Sequence, residues 1–255
     1  MANTQSGTPA FDAPFVFSTD GSKSLYFTFD QLQSRMLCEQ PNQLNLDYTR
    51  TMMGFLMFNP HPAHIVIIGL GGGSLLKFCY RHLPETLITV IEINPLVIAL
   101  RDEFEIPMDA TRIDIVCADG ADYVRHASLD EMQRFDVVMV DGFDSQGQAL
   151  SLCSQAFYDD CFKALAPHGV MVANLHHDDP AHGLFTGRIR LAFEGNMLEI
   201  ASEEKSNSIL FACKGDRISI DELRGNEPLK NFDPEVRDQL QAEFSRISWV
   251  MTDPI

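Results

Sequence analysis

The chain has 255 residues, 45% of them hydrophobic, enough for one large core with a small accessory unit and no linker between independent modules. A formal net charge of −17 argues against nucleic-acid and anionic-membrane partners and fits cationic ones, although C-terminal acids such as Asp221, Glu222, Asp233 and Glu235 also serve solubility. No apolar run reaches the ~18 residues needed to cross a bilayer, the polar stretch Met1 to Gly7 lacks a signal pattern, and the cysteines form no CxxC pair, so a soluble cytoplasmic protein with reduced core thiols is expected.

Residues 1–45 read as a tail and a small β unit, with short apolar pieces Phe15 to Phe17 and Ser24 to Phe29 around the hairpin signal Asp20-Gly21. Thr49 to Phe58 is rich in Met and Phe and reads as a buried helix, its methionines packing the core rather than lining a ligand wall. The apolar strand Ile65 to Leu70 then breaks into Gly71-Gly72-Gly73-Ser74, followed by a helix over Leu75 to His82 and a strand from Leu87 that closes on Glu92. Gly69, Gly71 and Gly73 permit a tight turn, let a ligand approach the backbone and bring the next helix close to the strand. Glu92 lies roughly twenty residues on, where an acid commonly binds ribose hydroxyls, so a nucleoside ligand is the first reading.

Helices are then expected over Pro95 to Glu103, Gly120 to His126, Gln155 to Ala164 and Leu184 to Phe193. They alternate with strands at Arg112 to Cys117, Phe135 to Val140, His168 to Leu175, Met197 to Ala201 and Ser208 to Cys213. Such alternation predicts a mostly parallel sheet covered on both faces over residues 46–215, with residues 216–255 as an acidic helical appendage. Glu92, Asp119 and Asp141 fall at the carboxyl ends of the second, third and fourth strands, the edge where open parallel sheets bind ligands. A crevice so negative suits a cation, and sulfonium cofactors and polyamines are cations.

From about Gln43 to Leu175 the chain resembles the spermidine synthase family, the polyamine aminopropyltransferases, which share the fold of adenosylmethionine-dependent methyltransferases. The resemblance rests on Ile68 to Ser74 at the family's glycine-rich loop, Val90 to Asn94 at its ribose-binding acid, Ala118-Asp119-Gly120 at its adenine-binding turn, and Asp141-Gly142-Phe143-Asp144 at its DSxD loop. Leu152 to Cys161 and Leu165 to Gly169 resemble the helix and strand that follow. It implies a Rossmann-like α/β fold with a seven-stranded sheet, and decarboxylated S-adenosylmethionine, or S-adenosylmethionine itself, as co-substrate. Gly69, Gly71, Gly73, Glu92, Asp119 and Gly120 would hold it. Asp141 would serve the attacking amine, Asp144 would also hold the polyamine, and Gln43 and Tyr48 would lie at the amine pocket. It further implies a homodimer joined through the N-terminal β unit.

The chain departs from the family at four places, one of them the amine-pocket region around Gln43 and Asp47-Tyr48, where the family's Glu-rich pattern is degraded. Gly72 stands where the family loop carries an Asp near the aminopropyl end of the cofactor, Gly142-Phe143 and Ser145 replace the usual partners of the two loop acids, and the family's C-terminal pocket wall is not recognisable after Leu175.

Such a site has a definite chemical task. An amine with a lysine-like pKa is neutral in only on the order of one molecule in a thousand at pH 7, and only that form attacks the carbon beside a sulfonium. Asp141 could accept the proton while Asp144 pairs with a charged nitrogen and orients the nucleophile; the departing thioether needs no acid. The plainer reading is that both acids cap the next turn. Two alternatives stay open: a methyltransferase using intact S-adenosylmethionine, sharing Gly71, Glu92 and Asp119, and a non-catalytic nucleoside-binding or scaffold relative. His176-His177-Asp178-Asp179 holds metal-ligand residue types, but neighbours point apart. No metal is expected there, and a turn at the pocket mouth, with His177 or Asp178 against substrate, is the expectation.

Overall fold

Period-two alternation at the N-terminus produces three strands, one more than the hairpin signal implies: β1 (Phe15–Ser18), β2 (Ser22–Thr28) and β3 (Gln31–Leu37), paired antiparallel in that order. The computed structural model describes residues 11–29, 31–130, 132, 134–144, 147–202, 204, 206–215, 229–230 and 232–252. Thr19 N–H donates to the Ser22 carbonyl at 2.8 Å across the Asp20-Gly21 turn.

The Met-rich helix is shorter than its pattern suggests. It begins as α1 (Asp47–Met52) and tightens into a 3-10 turn over Met53–Met57. A Cβ at Gly54, in that turn, would lie 2.4 Å from Ile247 Cδ1 and 2.8 Å from the Phe211 ring, so the turn sits flush against its neighbours. Met52, Met53 and Met57 are buried in the core.

Next come β4 (His64–Ile68), α2 (Ser74–His82), β5 (Leu87–Glu92), α3 (Pro95–Ala99), β6 (Ile113–Cys117), α4 (Gly120–Leu129) and β7 (Phe135–Val140). A two-residue ladder, β8 (Phe143–Asp144) with β9 (Gly147–Gln148), precedes α5 (Gln155–Ala164) and β10 (Leu165–His176). The chain then forms α6 (His182–Ala192), β11 (Met197–Ala201), β12 (Asn207–Cys213) and α7 (Pro234–Thr252).

The large sheet runs β11-β12-β10-β7-β4-β5-β6, and only β12 is antiparallel to its neighbours. This is the seven-stranded, mostly parallel α/β sheet read from the alternation. The connections leave β4 in one direction toward β5 and β6 and return to its other side at β7, so the order reverses between β4 and β7, the position where such sheets bind ligands. Boundaries differ at α3, which ends at Ala99 because the next N–H groups bond three residues back: Leu100 to Val97 at 3.0 Å and Arg101 to Ile98 at 3.2 Å. β10 starts early, at Leu165, and shifts register before Val170, around His168 at φ 61.

Two apolar layers close the faces. One joins Leu25 and Met36 of the small sheet to Leu76 of α2 and to Val236, Leu240, Phe244 and Ile247 of α7, a helical stripe. The other packs Val124, Phe157, Cys161 and Ile189 of α4, α5 and α6 against the opposite face. The appendage therefore contributes core through α7, while Asp221 and Glu222 lie outside the described residues. Cys79, Cys153, Cys161 and Cys213 are buried free thiols, and Cys38 and Cys117 are exposed.

Candidate active site

A cavity of about 320 Å³ opens at the carboxyl edge of the large sheet, lined also by Leu25 and Phe27 of β2 and Leu32 and Gln33 of β3. Its floor carries Glu92, Asp119, Asp141 and Asp144, and its described lining includes no lysine or arginine.

The glycine loop owes its shape to crowding. Gly69 has φ 97, and a Cβ there would stand 2.1 Å from the Asp141 carbonyl, which only glycine avoids. Gly71, at φ 50, has its Cβ direction open, with nothing nearer than Ser34 Cβ at 3.8 Å, and it faces the cavity. Gly73 does not line the cavity: it caps α2 at φ 70 against Ile106, whose Cγ1 would lie 2.6 Å from an added Cβ. Its part is to seat the helix. At Gly72 an added Cβ would meet Ser34 Oγ at 2.6 Å and Phe104 Cδ1 at 2.9 Å, so β3 has closed over the place where the family carries an Asp.

Glu92 ends β5 almost wholly buried, its Oε2 accepting from Leu70 N–H at 2.9 Å and its Oε1 from Asn94 N–H at 2.8 Å. Burial raises its pKa, and backbone N–H groups of Leu70, Asn94, Ile93 and Gly71 pull it back. The carboxylate is thereby fixed to the glycine loop. Asp119 caps α4, Oδ1 accepting from Ala121 N–H at 2.7 Å and from Asp122 N–H at 3.3 Å. Gly120 is pressed against Ile68, whose Cγ2 would lie 2.5 Å from an added Cβ.

Asp141 follows β7, its N–H still bonded to the Ile68 carbonyl at 2.9 Å. Its Oδ1 accepts from Asn174 Nδ2 at 2.8 Å and its Oδ2 from the Tyr48 hydroxyl at 3.3 Å. Asn174 Oδ1 accepts in turn from Asn207 Nδ2 at 2.9 Å, and Asn207 Oδ1 from Ser206 Oγ at 2.8 Å. Because an ionised carboxylate only accepts, this chain of donors has one direction, from Ser206 toward Asp141. Burial pushes the Asp141 carboxyl up to about 6, against the lowering pull of the Asn174 and Tyr48 bonds. The Tyr48 hydroxyl is raised well above its ordinary value by burial and by the Asp141 charge.

Asp144, exposed on β8, lines the same cavity three residues along from Asp141. Neither acid caps a helix: Ala149 and Ser154 precede the next 3-10 turn and α5.

Gln43 stands elsewhere. The turn after β3, in which Gln43 N–H bonds to the Gln40 carbonyl at 3.0 Å, carries it to a separate cavity beside Arg81, His82 and Asp233. The glutamine lining the site is Gln33. His177 also turns away, its Nδ1 2.9 Å from Ser208 Oγ, while His176 lines the cavity, stacked on Phe143 at 4.5 Å between ring centroids. Asn174 and Asn207 have only one sequence signal: amides at the ends of strands otherwise filled with apolar residues.

Fold and site together define a Rossmann-like α/β protein of methyltransferase type with a glycine-rich loop and an acidic cavity at the carboxyl edge of its sheet. The chain belongs to the spermine/spermidine synthase family, whose Spermine/spermidine synthase domain matches residues 45–180, and it is a transferase. It is 38% identical over 195 residues to a polyamine aminopropyltransferase of Neisseria meningitidis, covering 74% of this chain and 72% of that protein. It is also 38% identical over 210 residues to a polyamine aminopropyltransferase of Chromobacterium violaceum, covering 81% and 79%. Among solved structures, a probable spermidine synthase from Corynebacterium glutamicum shares the fold with a TM-score of 0.69 at 18% identity, covering 86% of this chain and 82% of that one. Human methyltransferase-like protein 13 in complex with SAH shares it with a TM-score of 0.60 at 23% identity, covering 78% and 93%. No helix among the described residues is long and apolar enough to cross a membrane.

Proposed function

We propose that the chain transfers the aminopropyl group of decarboxylated S-adenosylmethionine to a polyamine such as putrescine. The observation that carries this reading is the cavity itself: four carboxylates with no lysine or arginine among its described lining residues, two of them on the loop after β7. Such a lining attracts both a sulfonium and an alkylammonium and repels a phosphorylated cofactor.

In the reaction the neutral amine nitrogen attacks the aminopropyl carbon attached to sulfur. The carbon–sulfur bond breaks, its electron pair passes to sulfur, and a neutral thioether leaves without needing a proton. The nitrogen sheds one proton, which Asp141 accepts. With its carboxyl at about 6, Asp141 is ionised at neutral pH and closer in basicity to the amine than an ordinary Asp. Tyr48 and Asn174 hold it in one orientation, so the base is aimed before substrate arrives. Asp144 takes a charged nitrogen of the acceptor. Gly69, Gly71, Glu92, Asp119 and Gly120 receive the nucleoside, with Gly73 setting the distance of α2. A homodimer through the N-terminal sheet and a cytoplasmic setting complete the proposal.

Calorimetric titration with decarboxylated S-adenosylmethionine, S-adenosylmethionine and methylthioadenosine in parallel tests the cofactor half. Tighter binding of the decarboxylated form is expected; preference for intact S-adenosylmethionine would replace aminopropyl transfer by methyl transfer.

A further inference from the structure

On the far side of the His176 turn from the cavity, three side chains from three elements converge. His177 lies just past β10, His182 opens α6, and Glu199 sits on β11; their ligating atoms all lie within 4.8 Å of one another. Only His177 belongs to the run of adjacent residues in which the sequence suggested no metal. The fold brings in the other two.

His182 has a polar partner at each ring nitrogen. Its Nδ1 is 3.1 Å from the His176 carbonyl, which can only accept, so Nδ1 carries a proton. Its Nε2 is 2.7 Å from Glu199 Oε1, a carboxylate oxygen that also accepts. An Nδ1–H bonded to a backbone carbonyl is the usual way a metal-binding histidine is oriented with Nε2 toward the ion. His177 is held by a side-chain hydroxyl, with Nδ1 2.9 Å from Ser208 Oγ.

We infer that His177, His182 and Glu199 form a divalent-metal site, with zinc as the fitting ion. Two imidazoles and a carboxylate are a zinc donor set, with water completing the tetrahedron. Bonds of about 2.0–2.1 Å place tetrahedral ligands about 3.3 Å apart. The present atoms, within 4.8 Å of one another, have to settle to that spacing: the exposed His177 side chain moves in and Glu199 moves back from its 2.7 Å contact with His182 as the ion enters. Any proton shared by His182 and Glu199 leaves to solvent as the ion enters, and the site gains one net positive charge. The ion would tie β10, α6 and β11 together directly behind His176, whose ring forms part of the cavity wall. The site would therefore stiffen the wall that faces the acceptor, without touching the reacting atoms.

The test is a zinc titration of chelator-treated, dialysed full-length protein by calorimetry, repeated for His177→Ala, His182→Ala and Glu199→Gln, with Co²⁺ absorption as a second readout. The wild type should take up one ion per chain. Affinity should fall at least about 100-fold in each variant, because losing even an outer-shell partner costs about 10–100-fold. The d–d bands of the cobalt form should vanish with it. His177 is exposed, so its replacement leaves the packing intact and separates ligand loss from misfolding. A wild type that takes up no zinc, or affinity retained in any of the three variants, would overturn the site and leave a hydrogen-bonded His182–Glu199 pair or metal capture by thiols.

Discussion

The Tyr48 hydroxyl donates to Asp141 Oδ2 at 3.3 Å across 93 residues of sequence, bringing α1 to the end of the fourth sheet strand. Asn174 holds the other carboxylate oxygen at 2.8 Å. Both bonds favour the ionised form and oppose burial, which raises the carboxyl to about 6. The acid thus sits between two opposing influences that substitution can separate.

Replacing Tyr48 with Phe removes one of the lowering bonds. With Asp141 as the proposed base, the acid limb of kcat/KM should move to higher pH. Asn174→Ala should move it further, since the Asn174 bond is the stronger of the two influences. Each change should cost about 1 kcal/mol of stability. Parallel pH–rate profiles and urea titrations measure both; a profile unmoved in both variants would separate Asp141 from the rate.

Asp141→Asn should lower turnover by about 10²–10⁴-fold, with nucleoside affinity retained. Its stability should move the other way. With a folded pKa of about 6 against an ordinary 3.8, the folded wild type binds the proton more tightly than the unfolded chain, so stability is lost as pH rises between those values. The full cost is about 3 kcal/mol as an upper figure, absent from the Asn variant. Denaturation at pH 4 and pH 8 should show the variant gaining on the wild type only at the higher pH.

Lys77 is buried in α2, its Nζ donating to the Phe104 carbonyl at 2.7 Å and to Met36 Sδ at 3.1 Å. Burial lowers its pKa from 10.5 to about 8. The unfolded chain therefore binds more protons between these values, and wild-type stability should rise with pH across that window relative to Lys77→Met. Denaturation midpoints of the two proteins between pH 8 and 10 should diverge in the wild type's favour; parallel curves would show that Lys77 is not the group responsible.

Two glycine substitutions separate crowding from strain. Gly69→Ala puts a Cβ 2.1 Å from the Asp141 carbonyl and should cost at least about 3 kcal/mol. Gly71→Ala meets nothing closer than Ser34 Cβ at 3.8 Å and should cost about 1–2 kcal/mol for its left-handed backbone. Urea unfolding orders the two.

The sheet and the convergence of Glu92, Asp119 and Asp141 on one cavity were legible because they rest on short-range patterns. A strand followed by a helix reads from periodicity, and Glu92, Asp119 and Asp141 lie at strand ends that the pattern itself locates. The surroundings of Asp141 were harder. Asn174 and Asn207 reach Asp141 only because β10 lies between β7 and β12 in the sheet, which no local pattern states. Gln43 and Gln33 are ten positions apart on one segment, and only the path of the turn after β3 decides which faces the cavity. The third N-terminal strand and the 3-10 turn at Met53–Met57 likewise depend on what packs against them.

The most direct measurement is product analysis by mass spectrometry after incubation with decarboxylated S-adenosylmethionine and putrescine. Spermidine and methylthioadenosine should form in equal amounts in the wild type, and neither should accumulate at a comparable rate with Asp141→Asn. Absence of any aminopropylated amine, or turnover only with S-adenosylmethionine to give S-adenosylhomocysteine and a methylated acceptor, would contradict the account.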